Sequence, residues 1–170
     1  MDAAVRRREI LEFIQKMRGP VSAGKLAEIF GVSRQIIVGD VALLRAAGET
    51  IDATPRGYVS AAPDGLRRTV ACLHDAAGME RELYAIVDQG CTVLDVMVEH
   101  PIYGQLTGGL HLSSRYDVAR FLAQCAASDA RPLSALTEGI HLHTLTCPDE
   151  DAFQRVCGEL RNLGFLLGEE

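Results

Sequence analysis

Residues 22–48 read SAGKLAEIFGVSRQIIVGDVALLRAAG, and the fold of the first third of the chain turns on them. Ser22 is placed to cap a helix whose apolar positions are Leu26, Ile29 and Phe30. Gly31-Val32-Ser33 makes a short turn, and Ser33 can cap a further helix that ends near Gly48. On that helix Ile37, Val41 and Leu44 fall within about 60° of one another at about 100° per residue, which makes them the buried stripe. The opposite side presents Gln35, Val38, Gly39 and Ala42, flanked by Arg34 and Arg45. Asp40 falls towards the protein side, where a structural ion pair or hydrogen bond is expected.

Upstream, Ile10, Phe13, Ile14 and Met17 recur at helical spacing, so an amphipathic helix is expected over about Ala3 to Met17, stopped by Gly19-Pro20. Downstream, Thr50-Ile51-Asp52 and Gly57-Tyr58-Val59 read as two short strands around Ala53-Thr54-Pro55-Arg56. Helix, turn, helix and hairpin together read as a winged helix-turn-helix. The outer face of its third helix is small and nearly uncharged, which suits close approach to base edges. Gln35 can pair with adenine, and Val38 or Ala42 can touch thymine methyls. Ser33 and Arg34 at the helix start and Arg45 at the flank complete that face, with Arg34 placed for a phosphate or a guanine. Arg56 at the wing tip can reach the backbone or the minor groove. The alternative is a unit that only packs or dimerises.

The net charge of -6 argues against a nucleic-acid partner until it is divided along the chain. Residues 1–62 carry nine Lys/Arg against seven Asp/Glu, while residues 63–170 carry eight against sixteen. A boundary near Ala61–Asp64 therefore separates a mildly basic domain, 1–62, from a strongly acidic one, 63–170. A 48% hydrophobic fraction provides for real cores. No stretch approaches the roughly 20 apolar residues needed to span a bilayer. Met1 to Gln15 is charged and periodic, unlike a signal peptide, and a cytoplasmic protein is expected. The five cysteines, Cys72, Cys91, Cys125, Cys147 and Cys157, are widely spaced without a C-x-x-C pair, so reduced, mostly buried thiols are expected.

In the acidic domain, Thr69–Leu73, Cys91–Val98, Ile140–Thr146 and Phe165–Leu167 read as strands. Met79–Val87, Tyr116–Ala126 and Asp149–Asn162 read as helices. This order suggests an α+β sandwich with helices on one face of a mostly antiparallel sheet. His141-Leu142-His143 places two imidazoles on one side of a strand. His74 lies at the end of the first strand, and Glu82 on the helix that follows. Three imidazoles and a carboxylate suit zinc, nickel or another first-row divalent ion. The alternative is a surface histidine pair and a solvated helix charge. His100 and His111 stand beside Pro101 and Gly109 in loop-like sequence and read as structural. A hydrolytic metal enzyme is the weaker reading, because no G-x-S-x-G, H-E-x-x-H or phosphate-binding glycine loop is present and no general base is identifiable beyond the ligands.

Both halves resemble the niacin-responsive repressors (the NiaR family), which join a winged helix-turn-helix to a three-histidine, or 3H, domain. In the first half the likeness rests on Val32-Ser33-Arg34-Gln35-Ile36-Ile37-Val38, Asp40, Leu44-Arg45 and Arg56-Gly57-Tyr58. In the second it rests on His74, Glu82, His100-Pro101-Ile102-Tyr103-Gly104, Ser114-Arg115 and the run from Pro132 to His143. Gly39 departs from it, standing where a larger polar residue is expected. The resemblance implies a repressor of NAD-biosynthesis or niacin-uptake genes with nicotinic acid as co-repressor, and a homodimer on a symmetric double-stranded DNA operator is expected. The resemblance also implies metal ligands at His74, Glu82, His141 and His143. From residue chemistry alone, Tyr103 can stack on the effector ring and Arg115 can pair with its carboxylate. A metalloregulator answering to the metal itself is the alternative within regulation, and a metal-dependent enzyme fused to a DNA-binding module the alternative outside it.

Overall fold

The computed structural model describes residues 2–60 and 65–168, so the boundary expected at Ala61–Asp64 lies outside the described residues. The chain divides into two compact units, Met1–Ala62 and Pro63–Glu170.

In the first unit, Asp2 caps α1 (Ala3–Lys16), its carboxylate accepting the Ala4 N–H at 2.8 Å. The helix stops one residue before Met17, which turns extended and stays exposed. Ser22 caps α2 (Ala23–Phe30), and the left-handed Gly31 ends it. Ser33 then caps α3 (Arg34–Ala46), accepting the Ile36 N–H at 3.3 Å. Ile10 and Ile14 from α1, Leu26 from α2, and Ile37, Val41 and Leu44 from α3 close one core with Val21 and Ile51. Ile29, read as a core position, is exposed instead. The wing pairs β1 (Asp52–Thr54) with β2 (Gly57–Val59), and Val21 adds a short third strand by exchanging both backbone hydrogen bonds with Tyr58 at 2.9 and 2.8 Å.

The second unit runs β3 (Leu66–Leu73), a 3-10 turn (Ala76–Gly78), α4 (Met79–Val87), β4 (Thr92–His100), β5 (Gly104–Leu112), α5 (Arg115–Ala127), a second 3-10 turn (Leu133–Thr137), β6 (Ile140–Cys147) and α6 (Glu150–Asn162). The four strands lie in the order β3-β6-β4-β5, and every neighbouring pair is antiparallel. This is the α+β arrangement expected from the sequence. Val70 and Cys72, Val93, Leu110 and Leu112, and Leu145 and Cys147 face α4, α5 and α6 in a single apolar layer. The expected closing strand at Phe165–Leu167 reduces to one bridge, Leu166 against Cys72, at the free edge of β3.

β5 was not legible in the sequence, where its stretch reads as loop. Its glycines, Gly104, Gly108 and Gly109, give it low intrinsic strand preference. The pairing with β4 and the second 3-10 turn supply what propensity lacks: a Cβ at Gly108 would lie 3.3 Å from Leu133. Two irregularities bend this part of the sheet. β5 carries one extra residue opposite Val93–Asp95, where His111 sits buried with φ 50°. β4 carries one extra residue opposite β6 between Val93 and Met97.

Candidate metal centre and nucleic-acid interface

Four side chains converge under the N-terminal end of α4. His141 and His143 alternate onto the helix-covered face of β6, as their spacing requires. His74 follows β3, and Glu82 stands in the first turn of α4, where the helix dipole favours a negative charge. The side chains of His74, Glu82, His141 and His143 are 4, 1, 2 and 4% exposed, so the surface reading of these residues does not hold.

The backbone orients each ring. His74 Nδ1 lies 2.6 Å from the Asp75 carbonyl, His141 Nδ1 2.8 Å from the Gly139 carbonyl, and His143 Nδ1 2.7 Å from the Asp95 carbonyl. A carbonyl only accepts, so each Nδ1 carries the hydrogen and each Nε2 is left to face inward. All three Nε2 atoms then meet Glu82: His74 at Oε2, His141 at 2.9 Å from Oε1, and His143 at 2.7 Å from Oε1. Three bare nitrogens and a carboxylate offer lone pairs to one another and no proton. Such a cluster is stable only around a cation, either a proton on an imidazole or a metal ion.

The electrostatics agree. Burial pushes the Glu82 carboxyl up, but its contacts with the His141 and His143 rings outweigh it and hold the group well below the usual carboxylate range. Burial pushes His143 down, and Glu82 with the Asp95 carbonyl raises it above its ordinary value. Three nitrogen donors and one oxygen, on buried rings each braced by a backbone carbonyl, form a set that could hold a divalent metal ion.

Several supporting parts were invisible to sequence reasoning. The bulge in β4 frees the Asp95 carbonyl for His143 and lets its carboxylate accept the Thr144 N–H at 2.8 Å. Gly139 has φ 97° and packs so closely that a Cβ would lie 2.3 Å from the His74 carbonyl oxygen. Phe165 lies against the His74 ring, with centroids 4.7 Å apart. Cys72 was missed as well. Its sulfur, a Glu82 oxygen and a His141 nitrogen lie within 4.8 Å of one another. The signal was available, because Cys72 sits two residues before His74, at strand spacing.

The structure does not bring the two expected effector contacts to this cluster. Arg115 is held by Asp88 through two hydrogen bonds of 2.7 and 2.6 Å and lies over the Tyr84 ring. Asp88 caps the far end of α4, about 9 Å along the axis from Glu82 at ~1.5 Å per residue. Tyr103 is 73% exposed at the β4–β5 turn, its ring beside His100. His100 Nδ1 accepts the backbone N–H groups of Ile102 and Tyr103 at 3.1 and 3.3 Å, so it shapes that turn.

In the first unit, Ser33, Arg34, Gln35, Val38, Ala42 and Arg45 are all exposed on α3, with Ile36 and Leu43 exposed beside them. Asp40 is buried and paired with Arg6 at 2.6 Å, with Arg7 3.6 Å away. That pair ties α3 to α1 and leaves the outer face free of acidic charge. Arg56 is half-buried in the wing turn, with its Nε enclosed by protein, rather than projecting freely.

A capped helix-turn-helix with a wing, followed by an α+β domain with a buried three-histidine cluster, defines a two-part transcription regulator. Residues 6–59 match the HTH domain family and residues 67–169 match the 3H domain family. The chain is 42% identical over 169 residues to the transcription repressor NadR of Bacillus subtilis (strain 168), a match that covers 96% of this chain and 94% of that protein. It is 41% identical over 165 residues to the probable transcription repressor NiaR of Thermotoga maritima, again over 96% and 94% of the two chains. The chain belongs to the family of NadR- and NiaR-type transcription repressors, DNA-binding regulators rather than enzymes.

Proposed function

We propose that this chain is a cytoplasmic, homodimeric repressor of genes for NAD synthesis or niacin uptake, with nicotinic acid as co-repressor and a divalent metal, nickel or zinc, in its C-terminal domain. The observation that carries the metal reading is the common orientation of His74, His141 and His143, each Nδ1 on a carbonyl and each Nε2 on Glu82. These four residues would hold the ion, which when bound supplies a Lewis acid for a pyridine nitrogen or a carboxylate. Ser33, Arg34, Gln35, Val38, Ala42 and Arg45 would meet the major groove from α3, and Arg56 the backbone beside the wing. The co-repressor binds the DNA-competent arrangement of the dimer more tightly than the other, since otherwise it would shift nothing.

A second reading, in which the metal itself is the effector, is favoured by the position of Tyr103 and Arg115 away from the cluster. Calorimetry separates the two. Nicotinic acid is titrated into protein loaded with nickel or zinc and into protein stripped with chelator, with nicotinamide as control. Binding only to the loaded protein, and only of the acid, is the expected result. No binding in either state, together with operator binding that follows metal loading, would replace the niacin reading with the metalloregulator.

A further inference from the structure

The cluster is larger than its four expected members. β3 and β6 pair so that Cys72 stands directly opposite His141, and Val70 opposite His143. The alternation that carries Val70 into the core carries the Cys72 sulfur to the edge of the cluster, where it is fully buried. The ladder register sets this neighbourhood. The cysteine on β6, Cys147, pairs instead with Leu66 at the far end of β3.

Charge gives the sulfur a role. Glu82 and three neutral imidazoles around a divalent ion leave one uncompensated positive charge among side chains no more than 4% exposed. An unneutralised charge in such a place is strongly disfavoured. A thiolate at Cys72 makes the centre neutral. The distance allows it, because two donors to one ion stand no more than about 4.4 Å apart when the bonds would be ~2.3 and ~2.1 Å. The observed limit of 4.8 Å is within a small side-chain adjustment of that.

We propose that Cys72 is a fifth metal ligand: the thiol releases its proton to solvent as the sulfur–metal bond forms, and the centre becomes a neutral set of one thiolate, one carboxylate and three imidazoles. This rests on the metal reading above and adds a soft donor, which biases the site towards nickel, zinc or copper and away from magnesium, calcium and manganese.

The test uses the full chain, stripped and then loaded with cobalt(II), and reads its absorption spectrum. A thiolate-to-cobalt charge-transfer band in the near ultraviolet is expected in the wild type. Cys72→Ser should lose that band, keep the weaker visible ligand-field bands, and bind cobalt at least tenfold more weakly. Cobalt bound with ligand-field bands but no charge-transfer band in the wild type overturns the proposal and leaves the four-ligand site standing. An unchanged band in Cys72→Ser does the same. Failure of the wild type to bind cobalt, nickel or zinc at all sinks both this proposal and the reading beneath it. Should Cys72→Ser not fold, single serine variants at Cys91, Cys125, Cys147 and Cys157 decide the matter. A band persisting in all four assigns it to Cys72, and its selective loss in one of them overturns the assignment.

Discussion

An imidazole whose Nδ1 is already bonded to a carbonyl has one nitrogen left, and at His74, His141 and His143 that nitrogen faces Glu82. In the metal-free protein the cluster is satisfied by protons, and its pH dependence follows from the directions of the shifts. Glu82 is lowered from 4.5, so its contribution to stability is present above 4.5 and is lost as pH falls through the lowered value. His143 is raised from 6.5, so its contribution is present below 6.5 and is lost as pH rises through the raised value. Metal-free protein should therefore melt higher at pH 6 than at pH 8. Metal-loaded protein should do the opposite, because metal and protons compete for the same nitrogens. Thermal melts of both forms at the two pH values check this, and the same slope in both forms would contradict it. Arg115→Ala tests the expected effector contact, since Arg115 is bonded to Asp88: nicotinic acid affinity of the loaded protein should stay within about twofold of wild type. A tenfold loss by calorimetry would return Arg115 to the effector site. Asp40→Asn should lower the stability of the first unit by roughly 1–3 kcal/mol, the cost of weakening a buried hydrogen-bonded charge. Denaturant unfolding reads it directly.

Elements depend on close backbone approaches as much as on side chains. Gly57 begins β2 with φ 134°, and a Cβ there would lie 2.3 Å from the Val21 carbonyl oxygen. That approach is what lets Val21 pair with Tyr58 and anchor the wing to the helices. Gly57→Ala should detach the wing, seen as lost hydrogen-exchange protection at the Val21 and Tyr58 amides while the amides of α1 to α3 keep theirs. The recognition element was readable from sequence because caps, turn glycine and apolar stripe all act locally on one helix. β5 was not, since its strand character comes from β4 beside it and Leu133 above Gly108. The bulge in β4 is likewise a property of the pair of strands, and no residue of β4 alone announces it.

At the level of the whole molecule, the proposed function gives the two units different partners, and metal removal should distinguish them. An ion present at about 100 times its dissociation constant stabilises the unit that binds it by about 2.7 kcal/mol. Stripping it should lower the transition of the 3H domain by on the order of 10 °C and leave the helix-turn-helix transition in place. Calorimetric scans with and without chelator check this, and a uniform shift of both transitions would argue against a metal confined to the second unit. The sequence by itself determined the helix-turn-helix, the α+β class of the second domain, the family and the four clustered side chains. The first two follow from local periodicity and capping, while the family and the four side chains follow from the resemblance carried by particular runs of residues. Only the tertiary structure decided that β5 is a strand, that Cys72 stands beside His141, and that Arg115 pairs with Asp88 instead of facing the cluster. It also decided which carbonyl holds each imidazole. Those facts depend on strand register and on contacts between segments far apart in the chain, and register is set by the whole sheet rather than by any one strand.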